Sequence, residues 1–295
     1  MAVAPVPAPS GRARRRGTKP GANKVQNFIL HIVLSLGAIL MVFPFLWMIL
    51  TSLKSFDQAF LIPPKWIPNP VVWTNYPTSF SSLPFTRAYF NSFYISAIVI
   101  TVTLLTASMA AYAFAKIRFP GHEAVFLLFL ATMMVPGQVT IIPLFLLMQR
   151  IGWVNTHLSI IVPSMLFNAF AVFLLRQFIR GIPKELEEAA IVDGANRWKI
   201  YWSIILPLLV PALSALGIFL FLGSWNEYFR PLIFLNSIEL YTVPLMLNQF
   251  KGQYTVDWTL LMAGSAIAVI PVLVVYMIGQ RQIIEGITLT GLTGR

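Results

Sequence analysis

Apolar residues gather in six long runs along this chain: Phe28–Leu53, Phe90–Ala115, Ala124–Met148, Leu158–Leu175, Ile204–Leu235 and Trp258–Gly279. Each approaches or exceeds the roughly 20 residues that carry a helix across a hydrocarbon core of about 30 Å. Five of the runs contain no Asp, Glu, Lys or Arg, and the fifth in order carries Glu227 and Arg230 toward its later end. Backbone polar groups inside lipid must pair within their own segment, so the runs predict helices. Pro44, Pro136, Pro143, Pro163 and Pro271 lie inside them and predict kinks covered by neighbouring helices. The expected fold is an all-α polytopic membrane protein with six transmembrane helices. The first run is too long for a cleavable signal peptide, and no small-residue cleavage site follows it.

Composition strengthens that reading. Hydrophobic residues make up 57% and charged residues 11% of the 295 positions, against about 45–50% and about 25% in an ordinary soluble domain. Disorder is excluded by the apolar content and a coiled coil by the lack of charge. The absence of cysteine removes disulfides, thiolate catalysis and thiolate metal sites. His31, His122 and His157 are too far apart to match a ligand spacing, so no metal site is expected.

The net charge of +11 informs through its placement. Residues 1–26 form a Pro-, Gly- and Ala-rich tail with Arg12, Arg14, Arg15, Arg16, Lys19 and Lys24. It reads as a disordered cytoplasmic tail touching anionic headgroups. Nucleic acid is not an expected partner, because no aromatic platform accompanies the basic run. With the N-terminus inside, fifteen Lys and Arg lie on the cytoplasmic side. Five lie outside: Lys54, Lys65, Arg87, Arg150 and Lys251. That asymmetry places both termini in the cytoplasm. Residues 27–280 form the six-helix domain, and 281–295 a cytoplasmic C-terminal tail.

The large inner connection, about residues 176–203, holds four of the ten acidic residues. Pro183 suits a first helical position, and Glu185, Glu187 and Glu188 follow where carboxylates favour the helix dipole. Asp193-Gly194 reads as a stop, since glycine accepts the left-handed conformation that closes a helix. A second helical run then begins at Arg197 and leads through Leu206-Pro207 into the fifth span. Ala189 and Ala190 give the short helix a low face that another protein could approach closely.

Glu188-Ala189-Ala190, three residues, Gly194, nine residues, Ile204, then Leu206-Pro207 resembles the EAA signature of binding-protein-dependent ABC importer permeases. Further blocks extend the resemblance: Asn91-Ser92, Ala111–Gly121 (AYAFAKIRFPG), Ile142-Pro143-Leu144, Gly152–Thr156 (GWVNT), Arg176-Gln177-Phe178 and Trp225–Leu232 (WNEYFRPL). They are similar to the carbohydrate branch, the maltose/glycerol-phosphate type. The resemblance implies a type I importer permease in the bacterial cytoplasmic (inner) membrane. It would form half of a translocation pathway beside a second homologous permease. Two ATPase subunits would carry ATP and Mg, none bound by this chain, and an extracytoplasmic solute-binding protein would deliver a carbohydrate. Contact with the ATPase would fall to Glu187, Glu188, Ala189, Ala190, Asp193 and Gly194. The tail Gly286–Arg295 (GITLTGLTGR) is similar to permease tails inserted between the ATPase subunits, which implies contact through Thr290, Gly291, Leu292 and Thr293.

Candidate pathway residues are Gln138, Asn168, Trp225, Asn226, Glu227 and Tyr228. Glu227, three positions before Arg230, invites an ion pair along one helix face; a gating role and direct substrate contact both remain open. Trp225, Asn226 and Tyr228 offer an aromatic plate and amides to a sugar, although aromatic residues also gather at membrane interfaces. Gln138, Thr140 and Asn168 fit pathway lining and interhelical hydrogen bonding equally. An ion-coupled secondary carrier is the alternative class. It would want mid-membrane acidic or His relays and inverted repeats, and neither is visible. No GxxxxGK[ST] sequence or intramembrane catalytic constellation makes the chain an ATPase or another enzyme.

Overall fold

The structure, a computed structural model, describes residues 20–166, 168–252 and 256–292, with side chains over 24–166, 168–252 and 256–282. It is built from helices. The one pairing of extended backbone among the described residues is an antiparallel bridge between Lys251 and Val256.

Helix α1 (Pro20–Ser52) belongs up to Met48 to a unit of its own. Every side chain from Lys24 to Leu46 is exposed, with Leu34, Leu36, Leu40 and Met41 on successive faces. Apolar surface all round the helix suits lipid.

The second unit starts at Ile49. Short helices α2 (Phe56–Ala59) and α3 (Asn75–Ser81) precede the long α4 (Phe85–Lys116). Then come α5 (His122–Ala131), a tight turn over Thr132–Met134, α6 (Ile141–Arg150), α7 (Leu158–Met165) and α8 (Ala169–Arg180). Helices α9 (Glu185–Val192) and α10 (Arg197–Ile200) are followed by a π turn (Tyr201–Ile205) and α11 (Leu206–Leu208). The chain closes with α12 (Val210–Trp225), α13 (Phe229–Phe234), α14 (Val243–Leu247) and α15 (Trp258–Leu292).

Helix α4 is the axis of this unit and packs on α8, α12 and α7. Its buried residues Ala88, Ser92, Ile95, Val99, Thr103, Ala107 and Ala111 recur at three- and four-residue steps and form one stripe. Most are small, which lets neighbouring helices approach closely. The buried hydroxyls find partners across helices. Ser96 Oγ donates to Ser224 Oγ at 2.9 Å, and Ser108 Oγ meets Tyr201 Oη at 2.7 Å. A core at the Lys116 end gathers Ala111, Tyr112, Phe126, Leu175, Ile179, Tyr201, Ile205 and Leu216. Another at the Phe85 end gathers Phe85, Phe221, Trp225, Met246, Phe250 and Leu261. Helices α12 and α15 run so close that a Cβ at Gly279 would collide with the Ile218 side chain.

Four described helical segments, Lys24–Ser52, Phe85–Lys116, Leu158–Arg180 and Trp258–Gln282, are long and apolar enough to cross a membrane. A fifth forms if Arg197–Leu208 and Val210–Phe234, bent by 72°, are one span. The expected span Ala124–Met148 is instead two shorter apolar helices separated at Val135–Thr140. Pro136 has no N–H to donate and Gly137 favours the unfolded chain, so the pair breaks the helix outright where a kink was expected. A turn replaces it, with Val139 N donating to Pro136 O at 3.0 Å. The bend in the fifth run has a like cause, since Pro207 and Pro211 remove two helix donors beside the π turn.

Candidate functional site

Helix α9 starts at Glu185, two residues after Pro183, with the Lys184 carbonyl accepting from Glu187 N and Glu188 N at 3.0 Å each. Asp193 caps its far end, and Gly194 adopts φ 78°, a left-handed conformation that strains any residue bearing a Cβ. Asn196 Oδ1 then accepts from Lys199 N at 2.9 Å and opens α10. The sequence thus supplies a stop, a reversal and a new start within four residues.

None of the α9 residues is buried. Leu186, Glu188, Ala189, Ile191 and Val192 are exposed, as are Asp193 and Gly194, with Val192 at 86%. Glu187 and Ala190 turn the other way. Ala190, with Ile182 and Ala195, packs against the core at the Lys116 end. Glu187 Oε1 lies 2.7 Å from Lys116 Nζ, which also donates to Ile182 O at 3.0 Å. The six candidate coupling residues therefore divide. Two face the bundle and four face away from it.

A second cation secures the same end. Arg176 of α8, 6% exposed, donates through Nε to Phe114 O at 3.1 Å and through an Nη to Glu123 at 2.9 Å. Its guanidinium carbon stands 3.8 Å above the Phe126 ring. One side chain thereby joins α8, the last turn of α4 and the start of α5, its charge matched by a carboxylate and a ring face.

An open cleft of about 450 Å³ lies among α4, α7, α8, α12 and α13. Its wall includes Asn168, Glu227, Arg230, Ser164 and Thr132, with Ile95, Val99, Phe170 and Phe219 as apolar surface. Asn168 caps α8, its Oδ1 accepting from Ala171 N at 3.0 Å. Glu227 precedes the short α13 and accepts from Phe229 N at 3.0 Å and Arg230 N at 3.2 Å. The Arg230 guanidinium crosses to Ser164 Oγ at 2.7 Å. The expected side-chain pair between Glu227 and Arg230 is not made. The helix breaks after Trp225 and restarts at Phe229, so the two side chains never share a helix face.

The other pathway candidates lie elsewhere. Trp225 is 2% exposed, packs on Phe221 and donates Nε1–H to Ala268 O at 3.1 Å, which makes it a core residue. Asn226 is exposed and folds back to Leu222 O. Tyr228 packs on the cluster around Ile95 and Ile160, and Gln138 is exposed in the break between α5 and α6. Thr290, Gly291 and Leu292 fall in the last turns of α15, where their side chains lie outside the described residues, as does the whole of Thr293.

Several neutral side chains tie loops to helices at the opposite end. Asn91 Nδ2 donates to Glu239 O and Tyr241 O, and Ser92 Oγ accepts from Val243 N. Asn155, at φ 60°, accepts through Oδ1 from Asn236 N and Ser237 N and donates to Ser237 Oγ. His157 Nε2 bonds Leu240 O at 2.7 Å, and its Nδ1 meets the Tyr94 hydroxyl. Burial holds its imidazole below the usual His value; the Leu240 hydrogen bond opposes this and Arg87 adds to it. Lys116, Arg176 and Ser164 are groups that sequence reasoning did not single out for the site. Lys116 and Arg176 showed only as charges at the ends of apolar runs, and Ser164 as a hydroxyl inside one.

Known proteins are similar to this chain. A family model for the binding-protein-dependent transport system inner membrane component matches residues 103–288. The lactose transport system permease protein of Rhizobium radiobacter is 33% identical over 263 residues, covering 89% of this chain and 95% of that protein. The arabinooligosaccharides transport system permease protein of Halalkalibacterium halodurans is 33% identical over 283 residues, covering 95% and 100%. A chain of a bacterial ABC transporter involved in the import of the acidic polysaccharide alginate superposes with a TM-score of 0.79. That match covers 90% of this chain and 98% of the other; at 22% identity the likeness is one of fold. The family match runs unbroken through the exposed helix α9, its anchorage on α4 and most of the cleft wall, and by it this chain belongs to the binding-protein-dependent transport system inner membrane components, multi-pass transport subunits rather than enzymes.

Proposed function

We propose that this chain is one of two permeases in an ATP-driven carbohydrate importer and that α9 is its point of contact with an ATPase. The observation that carries the reading is α9 itself, an eight-residue helix with nothing buried, closed by Gly194 at φ 78°. Leu186, Ile191 and Val192 stand exposed on it. Exposed apolar residues on a short helix suit a surface cleft in another protein better than water. ATP and Mg reside on two partner subunits. The Lys and Arg asymmetry supports a cytoplasmic position for α9 and both termini, with Thr290, Gly291, Leu292 and Thr293 as a second contact for the ATPases.

The cleft holding Asn168, Ser164, Glu227 and Arg230 is this chain's share of the pathway, completed by the second permease. A solute-binding protein delivers substrate from outside. The relatives named for lactose and arabinooligosaccharides support a neutral sugar as cargo, and hydroxyl-rich solutes match a wall of mixed hydroxyl, amide and apolar surface. Replacing Gly194 by Val or Glu188 by Ala in the reconstituted importer tests the reading. ATP hydrolysis continues while labelled-sugar uptake falls. Normal uptake in both variants contradicts it.

A further inference from the structure

The apolar anchorage of α9 uses small or half-buried residues, Ile182 before it and Ala190 and Ala195 at its close. Such contacts let a helix rock. What fixes it is Lys116, whose ammonium holds one point on α9, Glu187 Oε1 at 2.7 Å, and one just ahead of it, Ile182 O at 3.0 Å. The two side chains are 8% and 14% exposed. A pair this shielded loses in desolvation much of what it gains in attraction, so it adds little to stability; its value lies in fixing one geometry. Lys116 is also the last residue of α4, whose buried stripe contacts α7, α8 and α12, the helices that wall the cleft.

From this geometry we infer that Lys116 is a positioning residue that locks α9 to α4, so that a displacement of α9 moves the cleft-forming helices as one body. The inference rests on α9 being the ATPase contact. In that mechanism Glu187 acts inward, on Lys116, and does not meet the ATPase. Arg176 is not equivalent, because its hydrogen bonds tie α8 to α4 and α5.

The test uses the whole assembly in proteoliposomes: this chain, its second permease, the ATPase subunits and the binding protein. Lys116→Met is expected to raise the ATP hydrolysed per sugar imported by roughly tenfold, within the usual range of coupling between sites. Glu187→Gln gives the same result. Lys116→Arg retains coupling, because a guanidinium can meet Glu187 and still donate to Ile182 O. A purely structural role would lower the amount of importer that assembles and leave the ATP hydrolysed per sugar unchanged in what does assemble. Unchanged coupling in Lys116→Met overturns the inference and leaves the importer reading intact. So does a Lys116→Arg variant that assembles without retaining coupling, whether or not Lys116→Met itself assembles. If the unaltered assembly shows no ATP-dependent uptake, the importer reading fails and the inference fails with it.

Discussion

The two ends of the helical unit are held by different chemistry. At the Lys116 end, two cations span between helices: Lys116 to Glu187 and Ile182 O, and Arg176 to Glu123, Phe114 O and the Phe126 ring. At the Phe85 end, Asn91, Ser92, Asn155 and His157 tie backbone to backbone through amides, a hydroxyl and an imidazole. The cations bind α9, α8 and α5 to the end of α4, whereas the neutral groups hold the N–H and C=O groups of loops. One end is therefore suited to be pushed as a lever, and the other to hold its loops in a set shape.

Substitutions break this comparison in order of size. Arg176→Met removes a nearly buried cation that serves three helices at once. Glu123 is half exposed and regains water, so the expected loss is about 3 kcal/mol, toward the lower end for breaking a buried pair. It reads out as a lowered thermal midpoint in detergent. Asn155→Ala removes three hydrogen bonds and places a Cβ-bearing residue without a local partner at φ 60°. It costs about 2 kcal/mol, and Asn155→Gly about half as much because the backbone strain is relieved. Equal costs for the two would show that the hydrogen bonds alone matter.

The smallest effect is one of pH. Folding depresses the His157 pKa, so the unfolded chain binds more protons than the folded one between the folded value and the ordinary value near 6.5. The stability of the Phe85 end is complete above that ordinary value and declines as pH falls through the interval. His157→Gln flattens the decline in a melting series. An unchanged slope would show that His157 is not buried as neutral imidazole.

Most of the fold was legible because lipid imposes long apolar runs whatever the packing. Where the reading went astray, local backbone chemistry was decisive. Pro136-Gly137 was visible as a kink, yet the combination of a missing donor and a flexible residue separates α5 from α6 altogether. Trp225 was offered to substrate because α12 is apolar on every side and its sequence does not reveal which face is covered. Packing against α15 settles that, through the Ala268 carbonyl. Glu227 and Arg230 had the spacing of an ion pair only if one helix continued through them. The Gly194 stop was readable from residue type alone, since φ 78° requires what glycine supplies. Lys116 was readable only as a charge at a helix end. Its partners lie 66 and 71 residues away along the chain, at Ile182 and Glu187.

The measurement that bears most directly on the account is a crosslink from the tip of α9. The chain has no cysteine, so Val192→Cys, at an 86% exposed position, introduces one addressable thiol. In the assembled importer that thiol is expected to crosslink to a nucleotide-hydrolysing subunit and to be shielded from impermeant reagents added outside intact cells. A thiol that reacts readily from outside, or that never joins an ATPase, contradicts the account.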